Sequence, residues 1–128
     1  EQIVSSLKIS PAQIDQVVKI ELLELQRRDR VYRGNRPPLD LRDRIVILVD
    51  DGLATGATMR SAIQAIAPQQ PAQIIVAVPV ASRSAADDLL EIIDLFVCLI
   101  VPEPFYAIGS WYENFSQTTD AEVRALLD

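Results

Sequence analysis

The chain has 128 residues and a mass of 14.2 kDa, which is room for one hydrophobic core and too little for two. It is 49% hydrophobic and 23% charged, which excludes a disordered tail, and its net charge of −6 argues against DNA and anionic membranes as partners. With no histidine and one cysteine, Cys98, it excludes Ser-His-Asp and Cys-His nucleophiles, histidine-ligated zinc and an internal disulfide, and the lone thiol fits a reducing, cytoplasmic compartment.

Residues 1–9 carry no decisive pattern; they lack an initiating Met and the basic-then-apolar order of a signal peptide. A helix is predicted from Ser10, with Ser10 as N-cap, Pro11 as first helical residue and Gln13 closing a capping box. Ile14, Val18, Leu22 and Leu25 follow at helical spacing, and the pattern runs to about Tyr32, where Gly34 can end it. Arg33 to Arg44 holds Gly, Asn and two prolines and reads as a loop. Arg44 to Asp51 is a β-branched run without polar alternation, which predicts a strand buried on both faces. A small-residue loop comes next, then a helix to about Ala67 with Met59, Ile63 and Ile66 on one face, stopped by Pro68.

The cycle repeats, with a strand over 72–80, a helix over 82–93 and a strand over 95–101. Ser84 is the expected cap of that helix, with Asp87 and Asp88 in its first turn. Strand and helix in alternation predict an α/β fold, a parallel sheet with flanking helices and right-handed crossovers. No apolar run approaches the roughly 20 residues that span a membrane. An aromatic stretch and a short helix close the chain, with Thr119 and Glu122 as a second capping box.

Asp50 and Asp51 fall at the carboxyl end of the first predicted strand, where open parallel sheets bind ligands. Ala54, Thr55, Gly56, Ala57 and Thr58 follow and open a helix. Small residues let the backbone wrap an anion, the helix N-terminus supplies free N–H groups and partial positive charge, and Thr55 and Thr58 add hydroxyls. Carboxylates repel phosphate, so the two acids suit a different role. They can accept hydrogen bonds from sugar hydroxyls, or hold Mg²⁺ through water. The combination points to a phosphorylated sugar. The Walker spacing with its lysine and the G-x-G-x-x-G fingerprint are both absent.

The thirteen residues Val46 to Thr58, VILVDDGLATGAT, resemble the signature of type I phosphoribosyltransferases, enzymes that use 5-phosphoribosyl 1-diphosphate (PRPP). The likeness extends to RPPLDLRDRIVILVDDGLATGATM, to Pro102–Phe105 and to Trp111–Thr118, which resemble a set of uncharacterised phosphoribosyltransferase-like proteins. One position departs: Gly52 stands where an apolar residue is usual, which loosens the turn but removes no ligand group. The resemblance implies that Asp50 and Asp51 are the catalytic acids, binding the ribose hydroxyls with Mg²⁺ nearby and no direct protein cage for the metal. It implies that Ala54 to Thr58 hold the 5′-phosphate, and that a nitrogen acceptor, nucleobase-like, displaces pyrophosphate. Hypoxanthine-guanine enzymes carry an Asp at the place of Ala54, so the resemblance disfavours a 6-oxopurine acceptor. A non-catalytic PRPP- or nucleotide-sensing regulator is the alternative, since some proteins of this fold use PRPP only as a signal.

By the same resemblance the strands and pyrophosphate loop that precede the signature strand are not visible, so the chain reads as the C-terminal part of one domain. Uncovered sheet surface would then pair with a second copy, as a homo-oligomer, or with the missing part. Seven of the ten arginines lie between Arg27 and Arg44. Arg33 and Arg36 are candidates for pyrophosphate contact, whereas Arg27 and Arg28 read as a solvated helix end. Phe105, Tyr106, Trp111, Tyr112 and Phe115 read as closing the core, with the wall of a base pocket as the alternative, and Cys98 as packing.

Overall fold

Three apolar runs form a parallel sheet because each is short, β-branched and bounded by turn residues. They are β1 (Ile45–Val49), β2 (Gln73–Val80) and β3 (Leu95–Ile100), in the order β1-β2-β3. The computed structural model describes residues 10–127, so residues 1–9, which carried no pattern, lie outside the described part. Val46 and Leu48 lie opposite Ile74 and Val76, and Val76 and Val78 opposite Phe96 and Cys98. Asp94 ties the start of β2 to β3: its carboxylate accepts from the Ile74 N–H at 2.7 Å, and its own N–H donates to the Ile74 carbonyl at 3.0 Å.

Helices α2 (Ala57–Ile66) and α3 (Arg83–Leu90) are the crossovers. Met59 and Ile63 of α2 and Ala85, Ala86 and Leu89 of α3 pack in one cluster with Ile74, Val76 and Val78. Both helices therefore cover the same face of the sheet. This corrects the expectation that β1 is buried on both faces. Val46 and Leu48 are half-buried, whereas Ile45, Ile47 and Val49 are exposed together with Leu95, Val97 and Leu99. The apolar run without alternation reports a strand whose second face is also apolar, and none of residues 39–116 covers it.

The chain divides into two compact units, Leu39–Ser116, which holds the sheet, and the terminal stretches, up to Pro38 and from Gln117 on. In the second unit α1 (Pro11–Arg33) starts at the predicted capping box, where Ser10 and Gln13 satisfy one another's backbone N–H, and ends at Gly34 with φ of +60°. The closing helix α4 (Asp120–Leu127) has the Thr119–Glu122 box. Arg27 donates to Asp120 at 2.6 Å and Tyr32 donates to the same carboxylate. Arg27 and Arg28 both grip Glu24, and their hydrogen bonds hold its carboxyl down at about 2. No helix among the described residues is long and apolar enough to cross a membrane.

Candidate functional site

β1 ends at Val49, and the chain leaves the sheet through Asp50 and Asp51, both exposed. The turn is built from its own polar groups. One Asp50 carboxylate oxygen accepts from the Asp51 N–H at 3.0 Å, and the Tyr112 hydroxyl donates to the Asp51 carbonyl at 2.6 Å. Gly52 is buried, and Leu53, only 2% exposed, rejoins the sheet beyond the end of β2. The Leu53 N–H donates to the Val80 carbonyl at 2.9 Å, and its carbonyl accepts from the Ser82 N–H at 2.8 Å, a parallel bridge to Ala81.

The next five residues turn the chain into α2. The Ala54 carbonyl accepts from the Ser82 hydroxyl at 2.7 Å, and the Thr55 hydroxyl oxygen accepts from the Ala57 N–H at 3.3 Å. Gly56 sits at φ of +67°, the left-handed region that a residue with a Cβ rarely adopts. It is the N-cap of α2 and has no side chain to cap the helix; the Thr55 hydroxyl takes the Ala57 N–H, and the N–H groups that follow in the first turn keep their hydrogen-bonding capacity for a ligand. Asp50 to Met59, with Ile108, line a cavity of about 340 Å³. The two carboxylates can accept from hydroxyls; the amides and partial positive charge at the start of α2 suit an anion. All seven residues expected at the site, Asp50, Asp51 and Ala54 to Thr58, are thus brought together around one cavity.

Ser82 is a residue that the sequence reading missed. The expected cap was Ser84, with Asp87 and Asp88 in the first turn. The helix instead starts at Arg83, so Ser82 is its N-cap, Ser84 lies inside it, and no acid is in its first turn. The reason is the Leu53–Ala81 bridge, beyond which the backbone stays extended through Ser82 and turns helical at Arg83. Its hydroxyl then accepts from the Ala85 N–H at 3.1 Å while donating to Ala54. A serine directly after the apolar run was the available signal. Asp88 pairs with Arg60 of α2 at 2.9 Å.

Of the five C-terminal aromatics none is buried, and Tyr106 is 80% exposed, so the stretch does not close the core. Tyr112, one of the five aromatics with a pocket wall as the alternative role, and the neighbouring Ile108, which was not expected at the site, are the residues of this stretch that reach the acidic turn. Arg27 and Arg28 are engaged by Glu24 and Asp120, as a solvated helix end predicts. Arg33 pairs with Asp29 at 3.3 Å and donates to the Pro37 carbonyl at 2.6 Å. Together with Arg36 and Arg124 it borders a cavity of about 200 Å³ within the terminal unit, whereas the acidic turn belongs to the sheet unit. Cys98 is half-buried in β3, donates to the Ile100 carbonyl at 3.1 Å, and is pushed up in pKa by burial, which keeps it a thiol in a packing role.

Among known proteins, the family model for the phosphoribosyl transferase domain matches residues 3–107. Relatives from two strains of Mycobacterium tuberculosis, CDC 1551/Oshkosh and H37Rv, each named "Putative phosphoribosyl transferase", are 38% identical over all 128 residues of this chain. The chain spans 29% of their length. The crystal structure of TT1426 from Thermus thermophilus is similar at a TM-score of 0.76 and 36% identity, over 94% of this chain and 58% of that one.

Proposed function

The chain belongs to the phosphoribosyl transferase domain family, and from that premise we propose that the protein transfers the 5-phosphoribosyl group of PRPP to a nitrogen acceptor of nucleobase type. The bond from the anomeric carbon to pyrophosphate breaks, the bond from that carbon to the acceptor nitrogen forms, and pyrophosphate leaves with the electron pair. The observation that carries this reading is one cavity lined both by two exposed carboxylates and by a glycine-opened helix N-terminus. A sugar phosphate has the matching polarity: hydroxyls to donate, phosphate to accept.

In this reading the amides at Gly56 to Thr58 and the hydroxyls of Thr55 and Thr58 hold the 5′-phosphate. Asp50 and Asp51 accept from the ribose hydroxyls and favour the positive charge that develops on the ribose ring. Catalysis is then mostly positioning and charge stabilisation, which needs no histidine. Mg²⁺ keeps several waters and needs only one or two carboxylates beside substrate oxygens. Asp50 and Asp51 fit that donor set: both are exposed, and a single one of their four carboxylate oxygens takes a backbone N–H. Bound there, the ion would offset negative charge on the pyrophosphate. Arg33 and Arg36 remain proposed pyrophosphate contacts on the chemistry of the guanidinium, which pairs two N–H groups with phosphate oxygens.

The test is exchange of labelled pyrophosphate into PRPP by the intact protein, with Mg²⁺ and a panel of bases. Exchange that depends on one base identifies an enzyme and its acceptor. PRPP binding without exchange for any base identifies a sensor, and absence of PRPP binding refutes the reading.

A further inference from the structure

The segment after β3 is joined to the acidic turn by two independent contacts. The first is the hydrogen bond from the Tyr112 hydroxyl to the Asp51 carbonyl at 2.6 Å. The second is steric. A Cβ at Gly52 would lie 2.8 Å from Ile108 Cγ2 and 2.9 Å from Val80 Cγ1, so Ile108 occupies the space that a side chain at position 52 would need. The segment is braced within itself as well. The rings of Tyr112 and Phe115 lie 5.0 Å apart at 42°, and Phe115 packs so closely on Gly109 that a Cβ there would meet Phe115 Cδ1 at 2.9 Å.

We propose that the Ile108–Phe115 segment sets the acidic turn for its ligand: Tyr112 is a positioning residue for Asp51, and Ile108 stands in for the side chain that Gly52 lacks. This rests on the reading of the cavity as a sugar-phosphate site. The Asp51 carboxylate hangs from the Cα that opens the Asp51–Gly52 peptide. Glycine leaves that peptide the freest in the turn, because no Cβ restricts its rotation. A hydrogen bond to the Asp51 carbonyl fixes the peptide plane, and Ile108 blocks the space into which the turn would otherwise collapse. Tyr112 must keep its proton to donate. A phenol, with an ordinary pKa of about 10, keeps it at neutral pH.

The segment thereby links two parts of the molecule that the sequence separates by 61 residues. It touches the acidic turn and makes no hydrogen bond to Ala54–Thr58 among the described residues. Loosening it should therefore affect a ligand that needs the carboxylates, and spare one that needs only the anion cradle.

The experiment is calorimetry on the intact protein with ribose 5-phosphate and with inorganic phosphate. Tyr112→Phe keeps the ring and removes the donor. It should weaken ribose 5-phosphate about fivefold, the worth of one net hydrogen bond, and leave phosphate within about twofold. Gly52→Ala should weaken ribose 5-phosphate in the same selective way, and Gly52→Ala with Ile108→Ala should regain part of the loss. Equal weakening of both ligands by Tyr112→Phe would show that the segment only holds the fold together. Unchanged ribose 5-phosphate binding in Tyr112→Phe, beside a wild type that binds it, would overturn the positioning role and leave the sugar-phosphate reading standing. A wild type that binds phosphate but shows no preference for ribose 5-phosphate would overturn both.

Discussion

Replacing Ser82 with alanine removes two hydrogen bonds to the backbone in one step, besides a longer one of 3.3 Å with the Ser84 hydroxyl. The hydroxyl caps α3 through the Ala85 N–H and holds the Ala54 carbonyl at 2.7 Å. Loss of an N-cap serine to alanine costs about 1 kcal/mol. The bond to Ala54 contributes about 1 kcal/mol net, and its acceptor is left beside a methyl group. The sum is about 2 kcal/mol, which for a chain of this length lowers the melting temperature by about 6–9 °C. The two contributions separate in a series. Ser82→Gly keeps most of the cap preference and loses the donor, so it should cost about 1.3 kcal/mol. Ser82→Thr keeps both roles and should stay near wild type. Thermal unfolding followed by circular dichroism, with and without phosphate, reads all four proteins. Phosphate should raise the melting temperature of the alanine variant less than that of wild type, because Ala54 is the first residue of the proposed anion loop. An alanine variant as stable as wild type, or a glycine variant less stable than the alanine one, would refute the double role of this hydroxyl.

Gly56→Val should abolish the thermal protection given by phosphate, since a β-branched residue at φ of +67° is strained and its branch meets Ala85, whose Cβ lies 3.5 Å from the first added atom; Ala57→Ser should keep it, and equal protection of both variants would place the cradle elsewhere. Asp51→Asn should weaken ribose 5-phosphate while inorganic phosphate binds no worse, because the amide loses a charge-assisted acceptor and leaves the cradle intact; equal loss for both in calorimetry would sink that division. Leu89→Ala should cost about 2–5 kcal/mol in urea unfolding, as this side chain is fully buried against β2 and α2, and a loss below about 1 kcal/mol would mean that the core is not close-packed there. Glu24 has its carboxyl depressed from 4.5 to about 2, so its contribution to α1 is complete above 4.5 and is lost as pH falls towards 2; helicity measured by circular dichroism should fall in that window, and less steeply in Glu24→Gln.

What the sequence revealed was local. The start of α1 was legible because Ser10, Pro11 and Gln13 act within one turn of each other. The grouping of Asp50 to Thr58 was legible because the nine residues are consecutive, and they line one cavity. The misses came from contacts between distant residues. Ser82 and Ser84 offer the same capping chemistry, and the choice between them is made by Leu53 pairing with Ala81 from 28 residues away. The apolar run of β1 tells how hydrophobic each face is, but the packing of α2 and α3 on one side decides which face is covered. The aromatic stretch reads as core by composition; its attachment to Asp51 depends on a tyrosine hydroxyl meeting a carbonyl that no local pattern announces.

The tethering of the loop to the end of β2 has a consequence for the entropy of ligand capture. Ordering the backbone of one residue costs about 1–2 kcal/mol, so a free five-residue loop that closed on an anion would give up about 5–10 kcal/mol. Here Ala54 is already held by Ser82, and Ala57 and Thr58 are already helical. Thr55 and Gly56 are the residues left to settle, a cost of about 2–4 kcal/mol. The difference was met when the chain folded, by hydrogen bonds that never touch the ligand. A cradle prepared in this way can hold a small, strongly hydrated anion with few contacts, since little of the binding energy is consumed in shaping the protein around it.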